Sequence, residues 1–238
     1  MIKNHIPNFI TTLNLISGCI SVVFAFQGNL MLASWFIGFA AIFDFLDGMA
    51  ARVLHAKSDI GIQLDSLADM VSFGVAPGVI VYQLMLESYN MPFAYFMEIN
   101  PVALIAFLIP VFSALRLAKF NIDERQTEAF IGLPTPANAM FFASLPLVIY
   151  QAHNAGLESI LNFVQNFWFL LASTLIFSGL MISELPLMSL KFKNLNFNDN
   201  KPRYLLVSLA IILFLLFKSI AIPLIVLVYI VISVFSRK

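Results

Sequence analysis

Long apolar stretches alternate with short polar ones along the chain. A helix that crosses a lipid bilayer needs about 20 predominantly apolar residues. The stretches that approach or exceed this length are residues 9–26, 30–51, 61–85, 101–120, 136–152, 162–182, 204–217 and 219–235. The pattern predicts an all-α fold, a polytopic integral membrane bundle of about eight transmembrane helices.

The last two apolar stretches are short and share the sequence LFKSIAIP. We expect them to form a tight helical hairpin over about residues 204–235. The clearly polar segment KFKNLNFNDNKPR, residues 191–203, is too short to be a soluble domain. The chain is therefore predicted to be a single transmembrane domain over residues 1–238.

Composition agrees with a membrane protein. The 238 residues are 61% hydrophobic and 11% charged, whereas soluble domains carry about 25% charged residues. The formal net charge is zero, so no overall field attracts nucleic acid, and we expect no nucleic-acid partner. With one cysteine, Cys19, the chain has no intrachain disulfide.

Lysine and arginine are distributed unevenly between the predicted loops. If the chain crosses the membrane eight times, every basic residue except Lys218 falls on the same side as the two termini. The opposite loops, near 86–100 and 153–161, contain glutamate but neither lysine nor arginine. Because cytoplasmic loops carry the excess of positive charge, both termini are predicted to be cytoplasmic.

Two groups of polar and small residues flank the short loop after the second apolar stretch. The second predicted helix ends with Asp44, Asp47, Gly48, Ala51 and Arg52, and the third begins with Gly61, Asp65 and Asp69. At about 100° per residue, each group lies on one helical face. The short connection makes the two helices antiparallel neighbours, so we expect the faces to meet at the cytoplasmic side.

Four clustered carboxylates near a membrane are costly unless they are protonated, paired or bound to cations. Arg52 can neutralise only one of them, and oxygen ligands favour Mg²⁺, Mn²⁺ or Ca²⁺. Two such ions would suit a phosphoryl displacement on a diphosphate. Gly48 and Gly61 would let a bulky substrate approach the helix backbones. The alternative is that the aspartates are solvated at the interface and the glycines serve helix packing.

The same residues resemble a known signature. Asp44-x2-Asp47-Gly48-x2-Ala51-Arg52-x8-Gly61-x3-Asp65-x3-Asp69 is similar in every fixed position to the motif of the CDP-alcohol phosphatidyltransferases. The resemblance implies that the four aspartates hold two divalent cations, Mg²⁺ or Mn²⁺, and that Asp69 is also the general base. It further implies that Gly48, Ala51, Arg52 and Gly61 contact the CDP-linked lipid.

Three later stretches resemble the phosphatidylserine synthase branch of this family. They are VSFGVAPG (71–78), RLAKFNI (116–122) and FIGLPTPA (130–137). The branch transfers the phosphatidyl group of CDP-diacylglycerol to L-serine and releases CMP. Arg116 is the best candidate for the serine carboxylate because its guanidinium forms paired hydrogen bonds, although a positive-inside anchor is an equal alternative. Ser72, one turn past Asp69, is a second candidate for the acceptor pocket.

The first predicted helix carries a polar stripe at helical spacing: Asn8, Thr11, Asn14, Ser17 and Ser21. Polar residues in a span usually face the bundle interior, so we expect the stripe to face the aspartates or to pack helices together. Its polarity is also untypical of a cleavable signal, which predicts a retained helix. By resemblance, Asn8 and Thr11 contact the nucleotide or a metal ligand, and the family-like core covers about residues 7–182.

Other functions remain open on the residues alone. The acceptor of the same chemistry could be glycerol phosphate, inositol phosphate or another amino alcohol, although phosphorylated acceptors need several basic residues. A membrane prenyltransferase would need a second aspartate-rich segment, and a cation-coupled transporter would place its charges near mid-span. The resemblance implies a homodimer, which we expect in the bacterial cytoplasmic membrane, surrounded by membrane lipid. The distribution of basic residues predicts that the active site faces the cytoplasm.

Overall fold

Helices make up most of the chain. The structure, a computed structural model, describes residues 2–56, 58–92, 96, 100–123, 130–189 and 196–236. Its helices are α1 (Ile2–Phe26), α2 (Leu30–Val53), α3 (Asp59–Asp69), α4 (Ala76–Leu86), α5 (Leu108–Ile122), α6 (Thr135–Asn154), α7 (Glu158–Val164), α8 (Phe167–Ile182), α9 (Phe197–Phe217) and α10 (Ala221–Phe235). The all-α prediction is confirmed.

Five stretches among the described residues are long and apolar enough to cross a membrane. They are His5–Phe26, Leu30–Val53, Asp59–Leu86, Ala103–Ile122 and Phe197–Phe235. The last of them contains both α9 and α10, which pack against each other across a turn at Lys218, where φ is 52°. Large apolar side chains such as Trp35, Phe45 and Leu215 remain exposed, as is typical of a surface that faces lipid.

Two predicted helix starts differ from the structure. The predicted span 162–182 is interrupted, because α7 ends at Val164 and the Asn166 side chain caps α8 by accepting from the Trp168 N–H at 2.9 Å. The helix predicted to begin at residue 204 is extended at its start: a helical turn begins at Phe197, after the Asn196 cap, and a kink at Asn200, with φ −117° and ψ 15°, separates this turn from the rest of α9. Several basic residues of the orientation argument lie outside the described residues: Lys57, Arg125, Lys191, Lys193, Arg237 and Lys238.

A π-helical segment, Met70–Val75, joins α3 to α4. Its central residues Ser72, Phe73 and Gly74 are buried. A Cβ on Gly74 would approach the Cβ of Ser113 to 3.1 Å, so α5 packs very closely here. Short π-helical insertions widen a helix and often occur at functional sites, and this one follows Asp69 directly.

A two-residue antiparallel ladder connects the start of α6 with the end of α8. Strand β1 (Phe130–Ile131) pairs with β2 (Pro186–Leu187). Next to the ladder, the N–H of Gly132 donates to the carbonyl of Leu185 at 2.8 Å. The φ of Gly132 is +75° and a Cβ there would meet the Met181 carbonyl, so only glycine fits this crossing.

Candidate active site

The second half of α2 and the helix α3 bring the predicted aspartates together. One carboxylate oxygen from each of Asp44, Asp47 and Asp65 lies within 4.8 Å of the other two. Asp69 lies one turn further along α3, and its carboxylate interacts electrostatically with all three. Helix α1 packs against both α2 and α3 and so fixes the two acidic faces relative to each other.

Much of this negative charge is withdrawn from solvent. Asp47 is 5% exposed and Asp69 is 8% exposed, while Asp44 and Asp65 are half-buried. Within the described residues, Oδ2 of Asp47 and Oδ1 of Asp65 are buried without a hydrogen-bond partner. Buried acceptors normally have partners, and the carboxylates repel one another. A hard cation is the group that fits these oxygens best, so the acidic cluster can hold a metal ion.

Asp69 is held by a residue of α1. The side-chain Nδ2 of Asn14 donates to Oδ1 of Asp69 at 3.2 Å, and Asn14 is completely buried. The hydroxyl of Ser72 donates to the backbone carbonyl of Asn14 at 3.0 Å. Asn14 therefore orients Asp69, while Ser72 attaches the π-helical segment to α1.

The residues expected to contact the CDP-linked lipid lie around the acidic cluster. Among the described residues nothing lies within 4 Å of a Cβ added at Gly48, which leaves open space there, whereas at Gly61 the same atom would lie 3.0 Å from the Asn8 Oδ1. Ala51 is half-buried, and the exposed Arg52 donates from Nε to the Gly48 carbonyl at 2.9 Å.

The other residue expected at the nucleotide belongs to α1. Thr11 is buried beside the carboxylate of Asp47. Its hydroxyl donates to the carbonyl of Pro7 at 3.0 Å, and the carboxylate of Asp47 is a second acceptor near that hydroxyl. Of the residues that the resemblance assigns to the nucleotide, Asn8 and Gly61 meet directly and Thr11 meets a predicted metal ligand.

A cavity of about 310 Å³ lies between α5, β1 and the end of α8. It is lined by Arg116, Lys119, Ile122, Asp123, Ile131, Met181, Ile182, Ser183 and Glu184. Arg116 is 6% exposed, and its Nε has no hydrogen-bond partner in the described part of the chain. Its guanidinium carbon lies 5.7 Å from the centre of the Phe120 ring and interacts electrostatically with Asp69. Ser72, the second acceptor candidate, is not among the lining residues.

A family model for CDP-alcohol phosphatidyltransferases matches residues 4–185. The match spans the acidic cluster, the π-helical segment and the cavity walls. The chain belongs to the CDP-alcohol phosphatidyltransferase family. It is therefore an enzyme of phospholipid synthesis in a membrane, and the prenyltransferase and transporter alternatives are set aside. Helices α9 and α10 lie beyond the residues that this phosphatidyltransferase model covers.

Curated phosphatidyltransferases resemble the chain over most of its length. A Bacillus subtilis protein named CDP-diacylglycerol–serine O-phosphatidyltransferase is 38% identical over 76% of this chain and 89% of its own length. Proteins of the same name from Mycobacterium leprae and Helicobacter pylori are each 36% identical, over 76% and 62% of this chain. The matches cover 57% and 59% of those two relatives, which is less than two thirds of their length.

Sequence reasoning gave no specific role to two residues that the structure places next to predicted site residues of this phosphatidyltransferase. Asn14 stood in the polar stripe of α1, and its helical spacing was the available signal. Tyr229 of α10 is 6% exposed and lies near Arg116. No local pattern indicates that proximity, because α5 and α10 are far apart along the chain.

Proposed function

We propose that this chain transfers the phosphatidyl group of CDP-diacylglycerol to L-serine and forms phosphatidylserine and CMP. The serine hydroxyl oxygen forms a new bond to the lipid-linked phosphorus. The bond from that phosphorus to the oxygen of the CMP phosphate breaks, and the hydroxyl proton passes to the protein. The observation that carries the proposal is a cavity of mixed charge whose lining residue Arg116 interacts electrostatically with Asp69, and the relatives' names support it.

Asp44, Asp47, Asp65 and Asp69 are the residues we assign to two divalent cations, Mg²⁺ or Mn²⁺. The unpartnered oxygens of Asp47 and Asp65 support this assignment. When bound, such ions offset charge on the diphosphate and on the departing CMP. Asn8, Thr11, Gly48, Ala51, Arg52 and Gly61 would contact the CDP moiety, with the Arg52 guanidinium near the diphosphate.

Asp69 is the proposed general base. Its Oδ1 accepts from Asn14, and we assign the hydroxyl proton of serine to its other oxygen. A positioned carboxylate within hydrogen-bond reach of the hydroxyl can remove the proton as the new bond forms. The electrostatic interaction between Asp69 and Arg116 supports an acceptor that lies between the two groups.

The charges that line the cavity favour a zwitterionic acceptor. The lining contains two cations, Arg116 and Lys119, and two carboxylates, Asp123 and Glu184. Such a mixed lining suits an acceptor that carries both charges, as L-serine does, better than an acceptor that carries a phosphate group. We assign Arg116 to the serine carboxylate, and Ser72 supports the acceptor side through its bond to α1.

The test is an acceptor comparison with purified protein in lipid nanodiscs. CDP-diacylglycerol, Mg²⁺ or Mn²⁺ and one alcohol are mixed, and CMP release is measured for L-serine, glycerol 3-phosphate, inositol 1-phosphate and ethanolamine. We expect CMP release that depends on L-serine and yields phosphatidylserine. CMP release with another alcohol but not with L-serine would support the family chemistry and reject L-serine as the acceptor. Arg116→Gln should raise the serine KM and leave the KM for CDP-diacylglycerol unchanged.

We further propose a homodimer in the bacterial cytoplasmic membrane, with both termini and the active site on the cytoplasmic side. Because Cys19 is the one cysteine, a C19S background permits single reporters. S236C near the C-terminus should react with an impermeant maleimide only in inverted vesicles, whereas E158C should react only in intact spheroplasts. The reverse pattern would reject this orientation. Light scattering of the solubilised protein tests the dimer, and a monomer mass would contradict it.

A further inference from the structure

The helices α9 and α10, called here the C-terminal hairpin, are attached to the rest of the protein at both ends. At the turn, the Gln151 side chain donates to the Phe217 carbonyl at 3.0 Å and accepts from the Ser219 N–H at 2.8 Å. Near the other end, Tyr229 and Arg203 bond to consecutive backbone carbonyls beyond β2. The hairpin is thus fixed to α6 and to the segment after α8.

The second attachment leads directly to the cavity wall. Tyr229 donates from its hydroxyl to the Met188 carbonyl at 3.1 Å, and Arg203 donates from Nε to the Ser189 carbonyl at 2.8 Å. We call residues 181–189 the wall segment, because its first four members line the cavity. From the opposite side, β1 and Gly132 bond to the same segment.

Arg116 lies between this segment and the hairpin. It is 6% exposed, its Nε is without a partner in the described residues, and the buried Tyr229 lies near it. Tyr229 itself does not line the cavity. A buried donor without a partner is costly, so a carboxylate that supplies this partner would be bound well, provided that the groups around Arg116 keep the guanidinium in place.

We propose that the C-terminal hairpin is a positioning element for the acceptor site, in which Tyr229 and Arg203 hold the wall segment so that Arg116 faces the acceptor carboxylate. The inference rests on the proposed serine transfer. Because the hairpin lies outside residues 4–185, the family match does not include this role. The acidic cluster on α2 and α3 has no part in these hydrogen bonds, so the element affects the acceptor and not the CDP-linked lipid.

The decisive variant is Tyr229→Phe, which removes one hydroxyl and keeps the ring. Initial rates of CMP release are measured against L-serine at saturating CDP-diacylglycerol, and against CDP-diacylglycerol at saturating L-serine. We expect the serine KM to rise about fivefold, the scale of one lost hydrogen bond, with kcat and the KM for CDP-diacylglycerol within twofold of wild type. Tyr150→Phe, the same change at an exposed tyrosine on α6, is the matched control.

A cycle with Arg116→Lys tests whether Tyr229 acts through the guanidinium. If it does, Tyr229→Phe changes the serine KM by less than twofold in the Arg116→Lys background, because residues that act together are not additive. Additive effects, equal changes in both KM values, or no change would overturn the proposal. If Tyr229→Phe is unstable, Arg203→Ala must instead raise the serine KM while the KM for CDP-diacylglycerol stays within twofold of wild type. Absence of serine-dependent CMP release in wild type would instead overturn the proposed function.

Discussion

The two sides of the active site differ in the signs of the charges that they contain. On the α2–α3 side, four carboxylates of one sign lie together, and two of their buried oxygens lack partners among the described residues. On the α5–α8 side, a cavity mixes two cations with two carboxylates and contains a buried guanidinium. A surface with negative charge alone suits cations that bind a diphosphate, whereas a surface with charges of both signs suits a zwitterion. We therefore propose that donor activation and acceptor recognition take place on different sides, and that Asp69, which interacts electrostatically with both, lies between them.

Metal removal should have the largest effect and should act on the α2–α3 side alone. With EDTA, we expect CMP release to fall to background and to return with Mg²⁺ or Mn²⁺, because only the acidic cluster needs cations. In a thermal melt, added Mg²⁺ should raise the Tm of wild type. Asp47→Asn should lose most of that increase, and it should be more stable than wild type without metal because one repulsive charge is gone. Full activity in EDTA would contradict the cation site.

Asp69→Asn should lower kcat by about 1,000-fold, because removal of a general base costs a factor of this order. The amide keeps the shape of the side chain, so folding should be retained in a thermal melt. Asp59→Asn is the control, since Asp59 is an exposed aspartate at the start of the same helix. A kcat within tenfold of wild type would remove Asp69 from the role of base and leave it as a ligand only.

Arg116→Gln should act on the cavity side. We expect the serine KM to increase by about 10- to 100-fold, since loss of one member of a buried charge pair costs about 2 kcal/mol or more. The KM for CDP-diacylglycerol should stay within twofold. An unchanged serine KM would support the alternative that Arg116 is a positive-inside anchor, whereas equal increases in both KM values would show that the two sides are not independent.

Asn14→Ala should have the smallest effect of these changes, about a tenfold decrease in kcat, because it removes one hydrogen bond to a charged group. The Ser72 bond to the backbone carbonyl of residue 14 remains possible, so helix packing should be kept. Neither KM should change. Cys19→Ala, at an exposed position of α1, is the control. An unchanged kcat would mean that the hydrogen bond from Asn14 does not contribute to the proposed role of Asp69.

The two sides also differ in how far the sequence predicts them. Asp44, Asp47 and Asp65 meet because helical spacing and a short connection are local properties, and both can be counted along the chain. The surroundings of Arg116 come from α5, the wall segment and α10, so no local pattern indicates them. Ser72 stays a prediction for the acceptor, and its hydroxyl donates to the Asn14 carbonyl on α1, a contact that no local pattern indicates.

Helix boundaries were predictable in part. The apolar runs locate the helices, whereas the late start of α8 depends on the cap at Asn166 and the early start of α9 on the cap at Asn196. An asparagine before a helix accepts from the first free N–H groups, so both caps were visible in principle. Because the residues on both sides of Asn166 are hydrophobic, the sequence pattern predicted one continuous helix over residues 162–182.

The π-helical segment Met70–Val75 determines how the faces of α3 and α4 are rotated relative to each other. An α-helix turns about 100° per residue, so removing a single residue there would leave a continuous helix but rotate α3 relative to α4 by that angle. The buried face of α4 could then stay in the core only if the aspartates of α3 turned away from α2. The number of residues between Asp69 and Ala76, as much as their chemistry, therefore decides whether this membrane helix presents its carboxylates to the substrate.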